Sequence, residues 1–113
     1  MPMIDSKITL KVSEEKRNAI VKEFGKAVSI LGKPESYLMC GIHDEYDLYF
    51  AGEKLECGAF VSVDLFGGEN PQAFEKFTAK LCEIFQRELK IPGEKIYVKY
   101  GTTRNWGWNG SNF

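Results

Sequence analysis

Apolar residues recur at Ile20, Val21, Phe24, Ala27, Val28 and Leu31, the spacing of one face of an α-helix. Ser13 stands ahead of them as an N-cap, and Glu14 and Glu15 fill the first turn, where the helix dipole favours acids. Gly32 and Pro34 stop the segment. A second helical stripe follows at Phe74, Phe77, Leu81, Ile84, Phe85 and Leu89. Asn70 suits its cap, Pro71 its first position, and "IPG" its end. The remaining apolar stretches are short and read as strands: "MIDSKITL", "SYLMCGI", "CGAFVSVDLF" and "KIYVKY". "LYFAGEKLE" reads as a short strand plus loop, and "GTTRNWGWNGSNF" as a glycine- and asparagine-rich tail with two tryptophans.

The two halves match. Ile20, Phe24, Ala27 and Val28, moved 57 positions along, fall on Phe77, Leu81, Ile84 and Phe85. Each helix leads through a proline turn to a strand bearing a tyrosine, Tyr37 or Tyr97. The pattern predicts an α+β sandwich of two pseudo-symmetric βαβ units, with two helices on one face of a four-stranded sheet. The other face stays open in a chain this small. Val61 and Val63 suggest an apolar component there, which other copies of the protein would cover.

At 113 residues, 43% apolar and 27% charged, residues 1–113 make one domain. A formal charge of -1 gives no basic field for nucleic acid or anionic membrane. No apolar run approaches the ~20 residues that span a bilayer. The start lacks a signal peptide's basic and apolar regions, so the expected compartment is the cytoplasm, with secretion by a signal-less route left open. Cys40, Cys57 and Cys82 are odd in number and widely spaced, which predicts buried reduced thiols rather than a disulfide framework. With His43 the single histidine and no paired ligand spacing, no metal site is expected.

Proline 2 is an odd opening for a strand, because it cannot donate to a ladder. "MPM" at the start, "GKPESYLM" after the first helix, "IYVKY" after the second and "NWGWNGSNF" at the end together resemble the macrophage migration inhibitory factor (MIF) and D-dopachrome tautomerase family of the tautomerase superfamily. The resemblance covers essentially the whole chain, in order. It implies a homotrimer whose three sheets form an inner barrel. It also implies cofactor-free tautomerisation of phenylpyruvate-like acids and isomerisation of dopachrome-like compounds. The base would be the secondary amine of Pro2, freed by removal of Met1, a cleavage that is generally easy before small residues.

The resemblance further implies that Lys33 binds a substrate oxygen beside Pro2. Read without it, Lys33 is a cation complementing the end of the first helix. By the same likeness, the backbone N–H of Leu65 binds the substrate carboxylate, and Gly67 and Gly68 after it permit unusual backbone geometry. Tyr97 comes from a neighbouring subunit. Trp106, Trp108 and Phe113 form an aromatic wall, and Tyr37 and Met3 lie at the rim. Lys99 stands in the pocket where vertebrate relatives carry asparagine. Phe60 replaces the second cysteine of their Cys-x-x-Cys, so no dithiol activity is transferred. Val63 replaces a histidine, and Trp106 is bulkier than the usual valine. A competing reading makes the chain a MIF-like cytokine or host-mimicking interaction protein, recognised by a cell-surface receptor. Hydration or dehalogenation chemistry would need pocket carboxylates or arginines, and Arg104 alone is too little.

Overall fold

Strict alternation sorts the first strand, β1 (Pro2–Ile8), into two faces. In the computed structural model, which describes Met1–Phe113, Pro2, Ile4, Ser6 and Ile8 are buried while Met3, Asp5 and Lys7 stay partly open. The second long strand, β5 (Ala59–Phe66), does the same, turning Ala59, Val61, Val63 and Leu65 inward. With β2 (Met39–His43) and β6 (Ile96–Thr103) they form one sheet in the order β2-β1-β5-β6. The central pair is antiparallel, and the two edge pairs are parallel. Two small hairpins complete the strands: β3 (Tyr49–Phe50) with β4 (Glu53–Lys54), and β7 (Gly107–Trp108) with β8 (Ser111–Asn112).

Helices α1 (Glu14–Ala27) and α2 (Pro71–Leu89) lie on the inner face. Ser13 Oγ accepts from Lys16 N at 3.2 Å, and Asn70 Oδ1 from Ala73 N at 3.2 Å, so both caps act as their residue types demand. Ile20, Phe24 and Ala27 meet Phe77, Leu81, Ile84 and Phe85 in one core, with Phe24 edge-on to Phe85 at 5.9 Å. Tyr100 ties α2 to β6: its ring stacks on Phe74 at 4.4 Å, and its hydroxyl donates to Phe74 O at 2.8 Å. At the other end, Arg17 donates to Val12 O and Ile42 O and pairs with Asp44 at 2.8 Å, fastening the start of α1 to the end of β2.

The internal match extends to every main element. Pro2, Glu14 and Met39 open β1, α1 and β2; Ala59, Pro71 and Ile96 open β5, α2 and β6, each 57 positions later. The hairpins repeat as well, at 58 positions, from Tyr49 to Gly107 and from Phe50 to Trp108. Both turn through two residues at positive φ, Ala51-Gly52 and Asn109-Gly110, as two-residue hairpins require.

Four details depart from the sequence pattern. Val61 and Val63 are fully buried against the helices, so they give the open face no apolar character. Strand parity gives that face Asp5, Lys7, His43, Ser62, Asp64 and Lys99, and its apolar component comes from Met3, Met39, Phe60 and Tyr97. Val21 is 39% exposed and leaves the helix stripe. "SYL" is a short turn of 3₁₀-helix and loop, not strand, and β2 begins at Met39. The three cysteines are free but only half-buried.

Ser6 is the exception on the inner face. Its hydroxyl is fully buried and has no hydrogen-bond partner. An unpaired buried hydroxyl costs about 1–3 kcal/mol. Ser6→Ala is therefore expected to stabilise the fold by about 1 kcal/mol. A denaturant titration that finds Ser6→Ala less stable than the parent would show that the hydroxyl is satisfied in solution.

Candidate functional site

The head of β1 opens into a groove of about 400 Å³ whose walls include Met1, Pro2, Met3, Tyr37, Met39, Trp106 and Trp108. The β7–β8 hairpin supplies the tryptophan side, and the turn before β2 supplies Tyr37. Tyr37 meets Trp108 edge-on at 6.0 Å, and Trp108 stacks on Phe113 at 6.3 Å. Phe113 also lies 5.6 Å from Phe66. Its backbone N–H donates to Trp106 O at 3.0 Å, which holds the end of the chain against the hairpin. Thus Pro2, Met3, Tyr37, Trp106, Trp108 and Phe113 gather at one end of the sheet. Ser36, Leu38 and Met39, which the sequence did not single out, line the same groove.

Lys33 reaches this end from the first helix. Its Nζ donates to Phe66 O at 2.8 Å, and Gly67 lies below it at φ 123°. A Cβ on Gly67 would stand 3.7 Å from Nζ, at a φ that L-residues rarely adopt. The terminal ammonium, here on Met1, has its pKa lowered, first by burial and then by the Lys33 charge. Both effects disfavour a cation and favour a neutral amine.

The backbone donor facing Pro2 belongs to Phe66, not Leu65. Consecutive N–H groups in a strand point to opposite edges. Phe66 N–H crosses to Met1 O at 3.2 Å, and Gly67 N–H goes to Thr103 O at 2.9 Å. Leu65, opposite Pro2 in the register, shares Gly67's direction and turns its N–H toward β6. Its side chain, 2% exposed, is core. The signal was adjacent in sequence: "LFGG" places Phe66 at the strand end, but only the register shows which N–H faces β1.

Tyr97 and Lys99 lie elsewhere in the chain. Thr102 is level with Leu65 and Pro2, whereas Tyr97 is level with Phe60 and Lys7. At ~3.3 Å per residue, Tyr97 sits roughly 16 Å down the sheet from Pro2. It is 62% exposed and packs on Phe50, ring to ring at 5.6 Å. Lys99 is exposed beside Ser62 and Asp5.

Burial raises the pKa of all three thiols, that of Cys40 to about 11 with help from the Glu35 carboxylate. They are poor nucleophiles at neutral pH. No group of three or more His, Cys, Asp or Glu side chains is placed to hold a metal ion. No helix is long and apolar enough to cross a membrane.

Known proteins share this fold. The Xenopus laevis macrophage migration inhibitory factor is 30% identical over 98 residues, covering 83% of this chain and 80% of its own. The crystal structure of Leishmania major MIF2 superposes with a TM-score of 0.93 at 31% identity, over 100% of this chain and 97% of that one. A solved chain described as a fused 4-OT wild-type symmetric trimer shares the fold, at a TM-score of 0.85 and 19% identity over 96% and 93% of the two chains. The family model of macrophage migration inhibitory factor (MIF) matches residues 1–113, and this chain belongs to that family.

Proposed function

We propose that the protein is a cofactor-free keto–enol tautomerase of aryl 2-keto acids of the phenylpyruvate or dopachrome type, with Pro2 as general base. The observation that carries this reading is the position of the first proline. It lies buried at the head of β1, in an aromatic groove, next to Met1, whose terminal cation is disfavoured by burial and by the Lys33 charge. Removal of Met1 turns the Pro2 nitrogen from an amide into a secondary amine. The amine takes a proton from the carbon next to the substrate ketone, and the ketone oxygen gathers the negative charge. The Pro2 ammonium then gives that proton up to the ketone oxygen, directly or through water, which leaves the enol and restores the neutral amine. Each step runs in reverse for ketonisation.

The oxygens need donors that are already in place. Lys33 Nζ is one. Phe66 N–H is the second, because excision of Met1 takes away the carbonyl it now serves. Trp106, Trp108 and Phe113 offer flat apolar faces to an aryl ring, with Tyr37 and Met3 at the edge.

The active assembly is a homotrimer in this reading. Tyr97 and Lys99 point outward, too far from their own Pro2 to act on it, so a neighbouring copy brings them to the groove. The fused 4-OT chain that shares the fold is a symmetric trimer, which supports three copies. Two lysines at one apolar groove favour an acid over its neutral ester.

Two measurements test the proposal. Light scattering at micromolar concentration is expected to give three chains per particle; a stable monomer would remove the shared pocket. Met1-free protein is expected to turn over phenylpyruvate at least about tenfold faster than its methyl ester, since hydrogen bonds to a charged group contribute about 1.5–3 kcal/mol. No turnover of either compound would leave the family's interaction role as the better account.

A further inference from the structure

The two glycines that follow β5 each face a cation. A Cβ on Gly67 would stand 3.7 Å from Lys33 Nζ, and a Cβ on Gly68 would stand 3.9 Å from Arg104 Nη2. Neither cation has a carboxylate within salt-bridge distance, and Glu69, next along the chain, pairs with neither. Lys33 donates to the neutral Phe66 carbonyl, and Arg104 is exposed. The formal charge of the whole chain is -1, so these two unpaired charges are a local excess and not part of a basic surface.

The register places Arg104 near the head of β1. Phe66 N–H meets Met1 O, and Phe66 is level with Thr103. Two strand spacings of about 4.8 Å each separate Met1 from Thr103, and Arg104 comes next. Gly67 N–H donates to Thr103 O at 2.9 Å, and Asn105 N–H to Thr103 Oγ1 at 3.0 Å, so the backbone on both sides of Arg104 is held. Two residues further on, Trp106 lines the groove with Pro2. One short turn therefore carries both a cation beside Gly68 and a ring of the groove wall.

We infer that Arg104 binds the carboxylate of the acid held in this groove and sets the groove's preference for acids over neutral analogues. The inference rests on the aryl 2-keto acid reading for the natural occupant. In such an acid the carboxylate and the ketone are on adjacent carbons, so their donors must be adjacent too. Lys33 and Phe66 N–H serve the ketone end beside Pro2. Arg104, one glycine further along, serves the carboxylate. A planar guanidinium matches the two carboxylate oxygens, which a lysine ammonium does not. Glycine at 68 belongs to the arrangement, because a Cβ there would fill the space beside the guanidinium that an anion takes. Lys33, Phe66 and Arg104 come from one chain, so this recognition does not depend on a neighbour's Lys99.

Both tryptophans of the chain line the groove, so their fluorescence reports its occupancy without turnover. Met1-free protein is titrated with 3-phenylpropanoate, which has no ketone to enolise, and with its neutral amide. The acid is expected to bind more tightly than the amide. Arg104→Gln is expected to weaken the acid about tenfold, the scale of a hydrogen bond to a charged group, and to leave the amide unchanged. Arg104→Lys keeps the charge without the fork and should fall between. In the tautomerase assay, Arg104→Gln should raise KM for phenylpyruvate by the same factor with kcat nearly unchanged, as loss of uniform binding requires. Equal acid affinity in Arg104→Gln and parent overturns the inference and makes Arg104 a solvated surface cation. An equal loss for acid and amide overturns it as well, because it marks a change of groove shape. So does a parent that does not bind the acid. A parent without turnover, whose acid binding still falls in Arg104→Gln, speaks against Pro2 as the base and keeps the carboxylate site. Full turnover with acid binding indifferent to Arg104 does the reverse.

Discussion

Protein that keeps Met1 is expected to be inactive toward phenylpyruvate while folding and assembling like the processed form. Three features of the retained residue lead to this. The Pro2 nitrogen is then an amide, whose lone pair is delocalised and cannot accept a proton near neutral pH. The Met1 carbonyl takes the Phe66 N–H at 3.2 Å, the donor proposed for a substrate oxygen. Met1 also lines the groove and takes up its space. Loss of a general base alone lowers rates by about 10²–10⁴-fold. The fold is indifferent, because the main core lies among the helices and inner strand faces, away from Met1. Intact mass, circular dichroism and the tautomerase assay on the same two samples decide the matter. Equal rates with and without Met1 would reduce Pro2 to the first residue of a strand. Pro2→Gly in processed protein is expected to keep a weak primary amine and partial activity.

The helices were legible because their signals are local. A cap, an acidic first turn and a 3.6-residue stripe sit within one stretch, and Ser13 and Asn70 made the bonds their side chains predict. The duplication was legible for a related reason: Phe24 and Leu81 answer the same packing demand in each half. The faces of β5 were harder. Val61 and Val63 are apolar whichever way they point, and only pairing with β1 decides that they meet the helices. The β7–β8 hairpin had a local signal, Asn109-Gly110 between aromatic residues, but the polar composition of the tail concealed it.

The site divides along the same line. Pro2, Lys33, Trp106, Trp108 and Phe113 were read from ordered motifs, and the fold brings them to one end of the sheet. The choice between Leu65 and Phe66 depends on which edge a peptide N–H faces, and no residue type encodes that. Tyr97 and Lys99 lie on the far reach of β6, a distance set by register. The contribution proposed for them belongs to the assembly rather than to the chain.

Lys33→Ala is expected to lower turnover by about 10²–10³-fold, the usual cost of removing one placed donor to a developing oxyanion. Its two candidate roles differ in what they predict. A cation that only complements a helix end contributes about 0.3–1 kcal/mol to stability and nothing to the pH profile. The ammonium here is drawn away from the helix to Phe66 O, at the strand end beside the terminal amine. Burial first, and then the Lys33 charge, lower the pKa of the Met1 amine, and once Met1 is gone the Pro2 amine is the terminus that this charge acts on. Without the charge the pKa rises, so a larger share of the amine is protonated at a given pH. Because the neutral Pro2 amine is the proposed base, the acidic limb of the pH–rate profile should move to higher pH in Lys33→Ala. Lys33→Arg keeps the charge and should leave the limb nearly in place, with activity between the two. Lys99→Ala, which removes a more distant cation, should cost less than Lys33→Ala and leave the limb unmoved. A Lys33→Ala enzyme with a parental acidic limb would mean that Lys33 binds substrate without tuning the base. One with a parental rate would confine it to the helix end.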